Sequence, residues 1–235
     1  MEMTAAEIKK VRSLHEKKFR DETGLFFVEG EKMVAEALAS GLEVVKVYRK
    51  DEVGEKVMAR LSALATPSPA LAVLRQSAAD GSAPRPAGLC LALDSVRDPG
   101  NMGTIMRLAD WFGIDSVYAS HDSADVFNPK VIQASMGSVF RKRPQYCSLP
   151  ELCRAFKNAG LQVFGTFLGG ENIYQSDLPK EGLIVMGNEA HGISDEVAAE
   201  VSSRLTIPSF YNGVGPESLN VAIATALAVS EFRRR

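Results

Sequence analysis

The sequence lacks the features that mark membrane, secreted and zinc-binding proteins. No apolar run reaches the roughly 18 residues that a transmembrane helix needs, so no membrane association is expected for the 235-residue chain. The opening stretch MEMTAAEIKKVRS is charged and has no apolar core of a secretion signal. Cysteine is scarce: Cys90, Cys147 and Cys153 are scattered and form no CxxC pair. We therefore expect reduced thiols, a cytoplasmic protein and no metal site.

An excess of charge is also missing, since the formal net charge is only -2. This balance neither favours nor excludes nucleic acid, because a local patch can be hidden in a neutral total. Basic residues do cluster, within residues 9–20, at 141–143 and at 233–235. Each cluster can equally be an ordinary solvated surface.

The stretch SAADGSAPRPAG, residues 77–88, is rich in Ala, Pro, Gly and Ser and predicts a linker. We expect a small α/β domain over residues 1–80, a linker over 81–88 and a larger α/β domain over 89–235. In the larger part, apolar strands alternate with helices. This alternation predicts a parallel sheet that is covered on both faces.

Three glycine-bearing loops follow predicted strands of the larger part, where open α/β sheets bind ligands. The first is DSVRDPGNMGTIMR, with Asn101 and Gly103 at a helix start whose backbone N–H groups can meet an anion. Arg107 lies on the same helix. The plain alternative is a capped turn with a surface ion pair between Arg107 and Asp110. No Walker loop or GxGxxG fingerprint is present, so a nucleotide-dependent oxidoreductase is a remote alternative.

The second loop, IVMGNEAHGIS, runs from a strand through Gly187 and Glu189 to a helix cap expected at Ser194. Glycine lets a ligand approach the backbone closely, and a carboxylate at a strand end can bind a hydroxyl or an amine. An ordinary strand-to-helix turn is the alternative. His191 is expected to be exposed and is given no catalytic role.

The third loop, LTIPSFYNGVGPESLN, leads into an apolar helix. Pro216 suits a helix start, and Ser218 can be a plain N-cap. Asn220 is expected inside the helix, where a buried amide needs hydrogen-bond partners.

These three segments, taken together and in this order, resemble the motifs of the SpoU family, the RNA 2′-O-ribose methyltransferases of the SPOUT superfamily. The stretch KKFRDETGLFFVEGEKMVAEAL is similar to the family's N-terminal substrate-binding domain, which has an L30e-like fold. The resemblance implies a C-terminal parallel-sheet SPOUT domain with a trefoil knot that binds S-adenosyl-L-methionine. It also implies a homodimer, for which the face Ala222, Ala226 and Val229 of the last helix is suited.

The resemblance assigns residues to three roles. The catalytic positions are Asn101, Arg107, Glu189, Ser218 and Asn220. The cofactor-binding positions are Gly187, Asn188, Gly192, Ile207 and Leu219. Contacts to RNA phosphates are expected from Lys17, Lys18, Arg20 and Arg141.

The implied reaction is attack of a ribose 2′-hydroxyl on the methyl group of the cofactor, with ribosomal RNA favoured over transfer RNA. Arginine stays protonated in proteins, so Arg107 is expected to bind phosphate and polarise the hydroxyl. The alternatives are a tRNA 2′-O-methyltransferase, a base-methylating SPOUT enzyme, and a non-catalytic RNA-binding or ribosome-assembly protein. The sequence departs from the family pattern in a longer loop between Pro208 and Ser218, and in Gln133, where many relatives have a basic residue.

Overall fold

The computed structural model describes residues 3–77, 84–211 and 218–234. Part of the predicted linker (81–83), most of the long loop (212–217) and Arg235 lie outside the described residues. None of the helices in the described ranges is long and apolar enough to cross a membrane.

The N-terminal part (residues 3–77) contains a three-stranded antiparallel sheet in the order β1-β3-β2. Its elements are α1 (Ala5–Ser13), α2 (Lys17–Thr23), β1 (Leu25–Glu29), α3 (Glu31–Ala39), β2 (Val44–Arg49), α4 (Lys50–Val53), α5 (Glu55–Leu61) and β3 (Ala70–Arg75). The helix α1 is not among the predicted elements, although it begins with a capping box formed by Thr4 and Glu7.

The C-terminal part (residues 84–211 and 218–234) contains a six-stranded sheet in the order β6-β5-β4-β8-β7-β9. Every pairing is parallel, which confirms the predicted parallel sheet. Its elements are β4 (Leu89–Leu93), α6 (Pro99–Trp111), β5 (Val117–Ala119), α7 (Pro129–Ser135), β6 (Pro144–Tyr146), α8 (Leu149–Asn158), β7 (Val163–Asn172), β8 (Gly182–Met186), α9 (Asp195–Ala198), β9 (Ser203–Thr206) and α10 (Val221–Arg234).

Both faces of this sheet are covered, as the apolar strands predict. Along β4, Leu91 faces a core that includes residues of α6 and α10, while Cys90 faces α8 and α9 on the other side. The chain moves from β4 to β5 on one side and returns to place β8 on the other. Ligands of open α/β sheets bind at such a reversal, so the loops after β4 and β8 define the site.

The helices α6 and α10 pack against each other and run parallel. Asn220, at the start of α10, contacts Asn101 at the start of α6, and Arg233 donates to the carbonyl of Phe112 at the other end. Ala222 and Val229 are buried within the chain's own core. Ala226 of the same face is half-buried. Ala222 and Val229 therefore pack inside a single chain and are not open to a partner, while the predicted homodimer stays a prediction.

Candidate active site

The loops after β4 and β8 leave the sheet side by side, because Leu93 pairs with Met186 in parallel strands. Asp94 follows β4 directly and is only 4% exposed. Its Oδ2 accepts hydrogen bonds from the backbone N–H and the hydroxyl of Ser194, both at 2.7 Å. Ser194 therefore occupies the predicted N-cap position before α9, but its side chain makes no capping hydrogen bond to that helix. Asp94 was not predicted as a site residue, and its place at the end of a buried strand is the signal that marks it.

The turn after Asp94 is held in an uncommon conformation. Ser95 has a φ of 56°, which non-glycine residues rarely adopt. Its N–H donates to Ser120 Oγ at 2.8 Å, and its hydroxyl donates to Asp122 Oδ2 at 2.7 Å. The Arg97 guanidinium, helped by hydroxyls, holds the pKa of Asp122 well below its usual range. The charged carboxylate thus fixes a strained turn beside the site.

The loop after β8 is built around Asn188. Asn188 and Gly192 exchange backbone hydrogen bonds of 2.8 and 2.9 Å. The Asn188 side chain accepts from the N–H of Ala190 at 2.9 Å and donates to the carbonyl of Ser95 at 2.7 Å. Both ends of this amide therefore shape the loop. Its predicted contact to a cofactor stays a prediction, and its observed use is structural.

The two glycines of this loop serve different purposes. A Cβ at Gly187 would lie 2.3 Å from the backbone of Gly192 and Ile193, so no side chain fits. Gly187 is thus required by the chain's own backbone, and its predicted contact to the cofactor stays a prediction. Gly192 has open space around it and a φ of 72°, a conformation that glycine adopts at low cost.

A chain of side-chain hydrogen bonds connects all three predicted motifs. Asn220 Nδ2 donates to Asn101 Oδ1 at 2.9 Å, and Asn101 Nδ2 donates to Glu189 Oε1 at 2.8 Å. These residues come from the start of α10, the start of α6 and the loop after β8. Residues 88 and 119 positions apart in the sequence are thereby brought together at one edge of the sheet. We call this set the polar chain.

Asn220 is not inside a helix, as the sequence predicts, but caps one. The helix α10 begins at Val221, and Asn220 Oδ1 accepts from the N–H groups of Ala222 and Ile223 at 2.9 and 3.3 Å. The residue is exposed, so the expected buried amide is wrong. The N-cap role offered as the plain alternative for Ser218 thus belongs to Asn220, and Ser218 lies exposed two residues before it.

The start of α6 is also capped. Asp98 accepts from the N–H of Asn101 at 2.8 Å, and Pro99 occupies the first turn. The helix starts at Pro99, before the predicted start at Asn101 and Gly103, so that Gly103 lies inside it. The expected anion site at the N–H groups of Asn101 and Gly103 is therefore wrong. Gly103 instead allows α7 to approach, because a Cβ there would lie 2.4 Å from the carbonyl oxygen of Val131.

Arg107 is exposed on α6, about 1.7 turns beyond Asn101. Its guanidinium makes no ion pair or hydrogen bond with the residues that the structure describes. The alternative pairing with Asp110 is wrong, because Asp110 Oδ2 accepts from Arg141 Nε at 2.9 Å. Arg107 is thus left available to a bound phosphate or hydroxyl.

Two apolar residues lie at the ends of the third loop. Ile207 follows β9 and is half-buried against the core. Leu219 directly precedes the cap residue Asn220 and is 48% exposed. Leu219 thus places apolar surface next to one residue of the polar chain.

The four residues predicted to contact RNA differ in accessibility. Lys17 and Lys18 are exposed and form exposed ion pairs with Asp21 and Glu22, and Lys18 also lies over the ring of Phe19. Arg20 is 1% exposed and is held by Asp125, so its predicted contact with RNA is wrong. Arg141 is half-exposed but is already paired with two carboxylates.

The three thiols are unpaired and have raised pKa values. Burial raises the pKa of Cys90 and Cys147 to about 11 and that of Cys153 to about 12. They are therefore protonated at neutral pH and poor nucleophiles or metal ligands. Among the residues described, no group of three His, Cys, Asp or Glu side chains could hold a metal ion.

The sequence of this chain matches the models of two known protein families. The SpoU rRNA Methylase family matches residues 88–230, and an MRM3-like substrate binding domain matches residues 5–54. The 23S rRNA (guanosine(2553)-2′-O)-methyltransferase RlmP of Bacillus subtilis is 31% identical over 96% of this chain and 95% of its own length.

Two solved structures share the whole fold. A protein of the TrmH family from Porphyromonas gingivalis is 41% identical, with a TM-score of 0.86 over 99% of this chain and 98% of that one. An AdoMet-bound rRNA methyltransferase from Sinorhizobium meliloti is 32% identical, with a TM-score of 0.87 over 100% of this chain and 97% of that one. The family match covers more than half of the chain, and its residues include the whole polar chain. The protein is therefore a member of the SpoU rRNA methylase family.

Proposed function

We propose that this protein transfers a methyl group from S-adenosyl-L-methionine to a ribose 2′-hydroxyl in RNA. The observation that carries this proposal is the polar chain, which gathers Asn101, Glu189 and Asn220 at the carboxyl edge of the sheet. Ribosomal RNA is favoured as the substrate, because the relative that matches almost the full length is named for 23S rRNA. Transfer RNA is the alternative.

The residues at the sheet edge fit S-adenosylmethionine. The cofactor has an apolar adenine face and polar ribose and amino-acid groups, and the site pairs Ile207 and Leu219 with the hydrogen-bonded loop at 187–193. When bound, the cofactor supplies a methyl group that its sulfonium already activates, so no metal is required. The trefoil knot belongs to this proposal, supported by the return of the chain from β9 at the sheet edge to Asn220 beside Asn101.

The protein's own groups would act by positioning. The exposed Arg107 guanidinium offers planar N–H donors to an anion, so it would bind a phosphate and polarise the hydroxyl. Asn101 presents an amide whose orientation is set by Glu189 on one side and Asn220 on the other. An amide held in this way suits a ribose hydroxyl, which both donates and accepts hydrogen bonds.

The decisive experiment maps 2′-O-methyl groups in total RNA from cells with and without the protein. We expect one ribose in ribosomal RNA to lose its methyl group when the protein is absent. Loss of a methyl group from transfer RNA would select the alternative substrate, and loss of a base methyl group would contradict the proposed chemistry. Binding of S-adenosylmethionine separates an enzyme from a non-catalytic assembly protein.

Arg107 supplies the matched test of mechanism. Arg107→Ala should lower methyl transfer by about 100-fold or more, since a charged contact to substrate is worth several kcal/mol. Arg204, which is engaged with the ring of Phe167, offers a control in Arg204→Ala. Near-normal methyl transfer by Arg107→Ala would contradict the assignment.

Residues 1–80 would form the substrate-binding domain, joined by the linker 81–88 to the methyltransferase domain 89–235. The match to an MRM3-like substrate binding domain over residues 5–54 supports this division. Lys17 and Lys18 are the exposed cations from which RNA contacts are expected. Such contacts act on phosphates, so RNA binding should weaken as salt is raised.

A homodimer in the cytoplasm completes the proposal. The surface available for pairing is the outer face of α10, where Ile223 is 53% and Leu227 is 37% exposed. Light scattering on the purified protein should give twice the chain mass, and Ile223→Asp combined with Leu227→Asp should give one chain mass. A monomeric wild type would contradict this part. A cytoplasmic location is consistent with an RNA substrate and with three free thiols.

A further inference from the structure

The strands β1 and β3 of the N-terminal sheet are buried on both faces, and one of these faces packs on the C-terminal part. Along β1, Leu25 and Phe27 contact the core formed with α1 and α5. Phe26 and Val28 alternate with them and join the core that contains β4 and α6. The two parts of the chain therefore share one continuous core, although the sequence between them is linker-like.

A buried ion pair crosses this shared interface. Arg20 of α2 donates to Asp125 Oδ2 through Nη2 at 2.7 Å and through Nε at 3.2 Å. Its remaining nitrogen, Nη1, donates to the carbonyls of Leu14 and His15 at 2.8 and 2.9 Å. Asp125 lies in the loop before α7, and its other oxygen accepts from the N–H of Phe127 at 3.0 Å. Each charged oxygen and each guanidinium nitrogen thus has a defined partner.

The neighbouring contacts also cross the interface. The rings of Phe26 and Phe127 lie 4.7 Å apart. Arg141 bridges Glu36 of α3 at 3.2 Å and Asp110 of α6 at 2.9 Å. Because a buried charge is costly unless it is paired, burial of Arg20 favours the arrangement of the two parts in which Asp125 reaches it.

The helix α2 carries both this anchor and the exposed cations. Arg20 points into the interface, while Lys17 and Lys18, one turn earlier, face solvent. A cavity of about 260 Å³ lies between the two parts, with Phe27, Val28 and Leu64 on one wall and Lys130 and Gln133 of α7 on the other. The position of α2 and the width of this cavity both depend on how the two parts are held.

We propose that Arg20 and Asp125 form a positioning pair that fixes the exposed Lys17 and Lys18 of α2 relative to Arg107, and so selects the nucleotide that reaches the active site. This inference rests on the proposed function. Under this proposal the N-terminal part is held rigidly against the C-terminal part and does not move freely on its linker. The fixed distance between its RNA contacts and Arg107 then determines which nucleotide is methylated. Arg20 therefore acts on the substrate indirectly and touches no RNA itself.

The test uses Asp125→Asn in the full-length protein. This change keeps the oxygen that accepts from Phe127 but places an amide NH₂ opposite the guanidinium, so that two donors face each other. Glu43→Gln is the matched control, because Glu43 pairs with Arg75 at 2.7 Å on the exposed surface of the same part. The substrate is ribosomal RNA from a strain that lacks the protein, and the cofactor is S-adenosylmethionine.

We expect the affinity of Asp125→Asn for S-adenosylmethionine and its kcat to stay near wild type, while KM for the RNA rises about tenfold and methylation spreads to additional riboses. Small-angle X-ray scattering should show a larger radius of gyration. An unchanged KM, methylation map and scattering curve would overturn the proposal. A parallel fall in cofactor affinity and kcat would also overturn it, because it would indicate a general structural role.

Arg20→Lys changes the other member of the pair and is the replacement test if Asp125→Asn does not fold. It keeps the charge but loses the forked geometry. Failure of the proposed function can be told apart from failure of the positioning pair. A wild-type protein that methylates no RNA would contradict the proposed function, while the scattering comparison would still test whether Arg20 and Asp125 hold the two parts together.

Discussion

Replacing Asn101 by Ala should separate catalysis from stability. The change removes the 2.8 Å bond to Glu189 and the 2.9 Å bond to Asn220. Both bonds are exposed, so each adds little to folding, and we expect a loss of about 1 kcal/mol and a fall in melting temperature of about 2–4 °C. Bound RNA would exclude water from the same bonds. The loss in kcat should then be about 10- to 100-fold, or about 1.4–2.7 kcal/mol in the activation free energy.

The assay compares methyl transfer at saturating RNA, S-adenosylmethionine affinity by calorimetry, and thermal unfolding. Asn158→Ala is the control, because Asn158 is an exposed asparagine at the end of α8 and should change none of the three. Turnover of Asn101→Ala within about twofold of wild type would refute the role given to the polar chain. An equal loss of cofactor affinity and turnover would show that Asn101 only supports the cofactor site.

Three further outcomes follow from the same contacts. Asn220→Asp keeps the oxygens that cap α10 but loses the donor to Asn101, so circular dichroism should be unchanged while turnover falls about tenfold. Asp94→Asn weakens the two bonds from Ser194 and should lower cofactor affinity and the free energy of unfolding by about 1–3 kcal/mol; native stability in urea would argue against it. Because burial raises the pKa of Cys147 to about 11, only roughly one thiol in a thousand is ionised at pH 8, so native protein should react slowly with Ellman's reagent below pH 9 and faster as pH rises.

The local elements were largely predictable because their signals are local. The apolar run that forms β8 and the amphipathic pattern of α8 predict their positions within a few residues. The strand β6, Pro144–Tyr146, has three residues and no periodicity to detect, so it was not predicted. It forms because β5 presents a parallel edge for it to pair with.

The wrong predictions concern residues whose role depends on a partner far away in the sequence. Asn220 and Ser218 are both residue types that suit an N-cap. In the structure Asn220 is the cap, and its side chain also donates to Asn101. Arg20 stands in a basic stretch with Lys17 and Lys18, yet Asp125, 105 residues away, draws it into the interior. No pattern of neighbouring residues distinguishes a buried arginine from an exposed one when the partner lies on another element.

The sequence by itself determined the alternation of strands and helices, the three motifs and the family, because periodicity and motif order are properties of the linear chain. The tertiary structure decided which polar groups meet. It joined Glu189, Asn101 and Asn220 into one chain, left Arg107 without a partner among the described residues, and locked Arg20 onto Asp125. The physical reason is that a hydrogen bond forms only within about 3 Å, and distances between loops are set by the packing of the whole sheet.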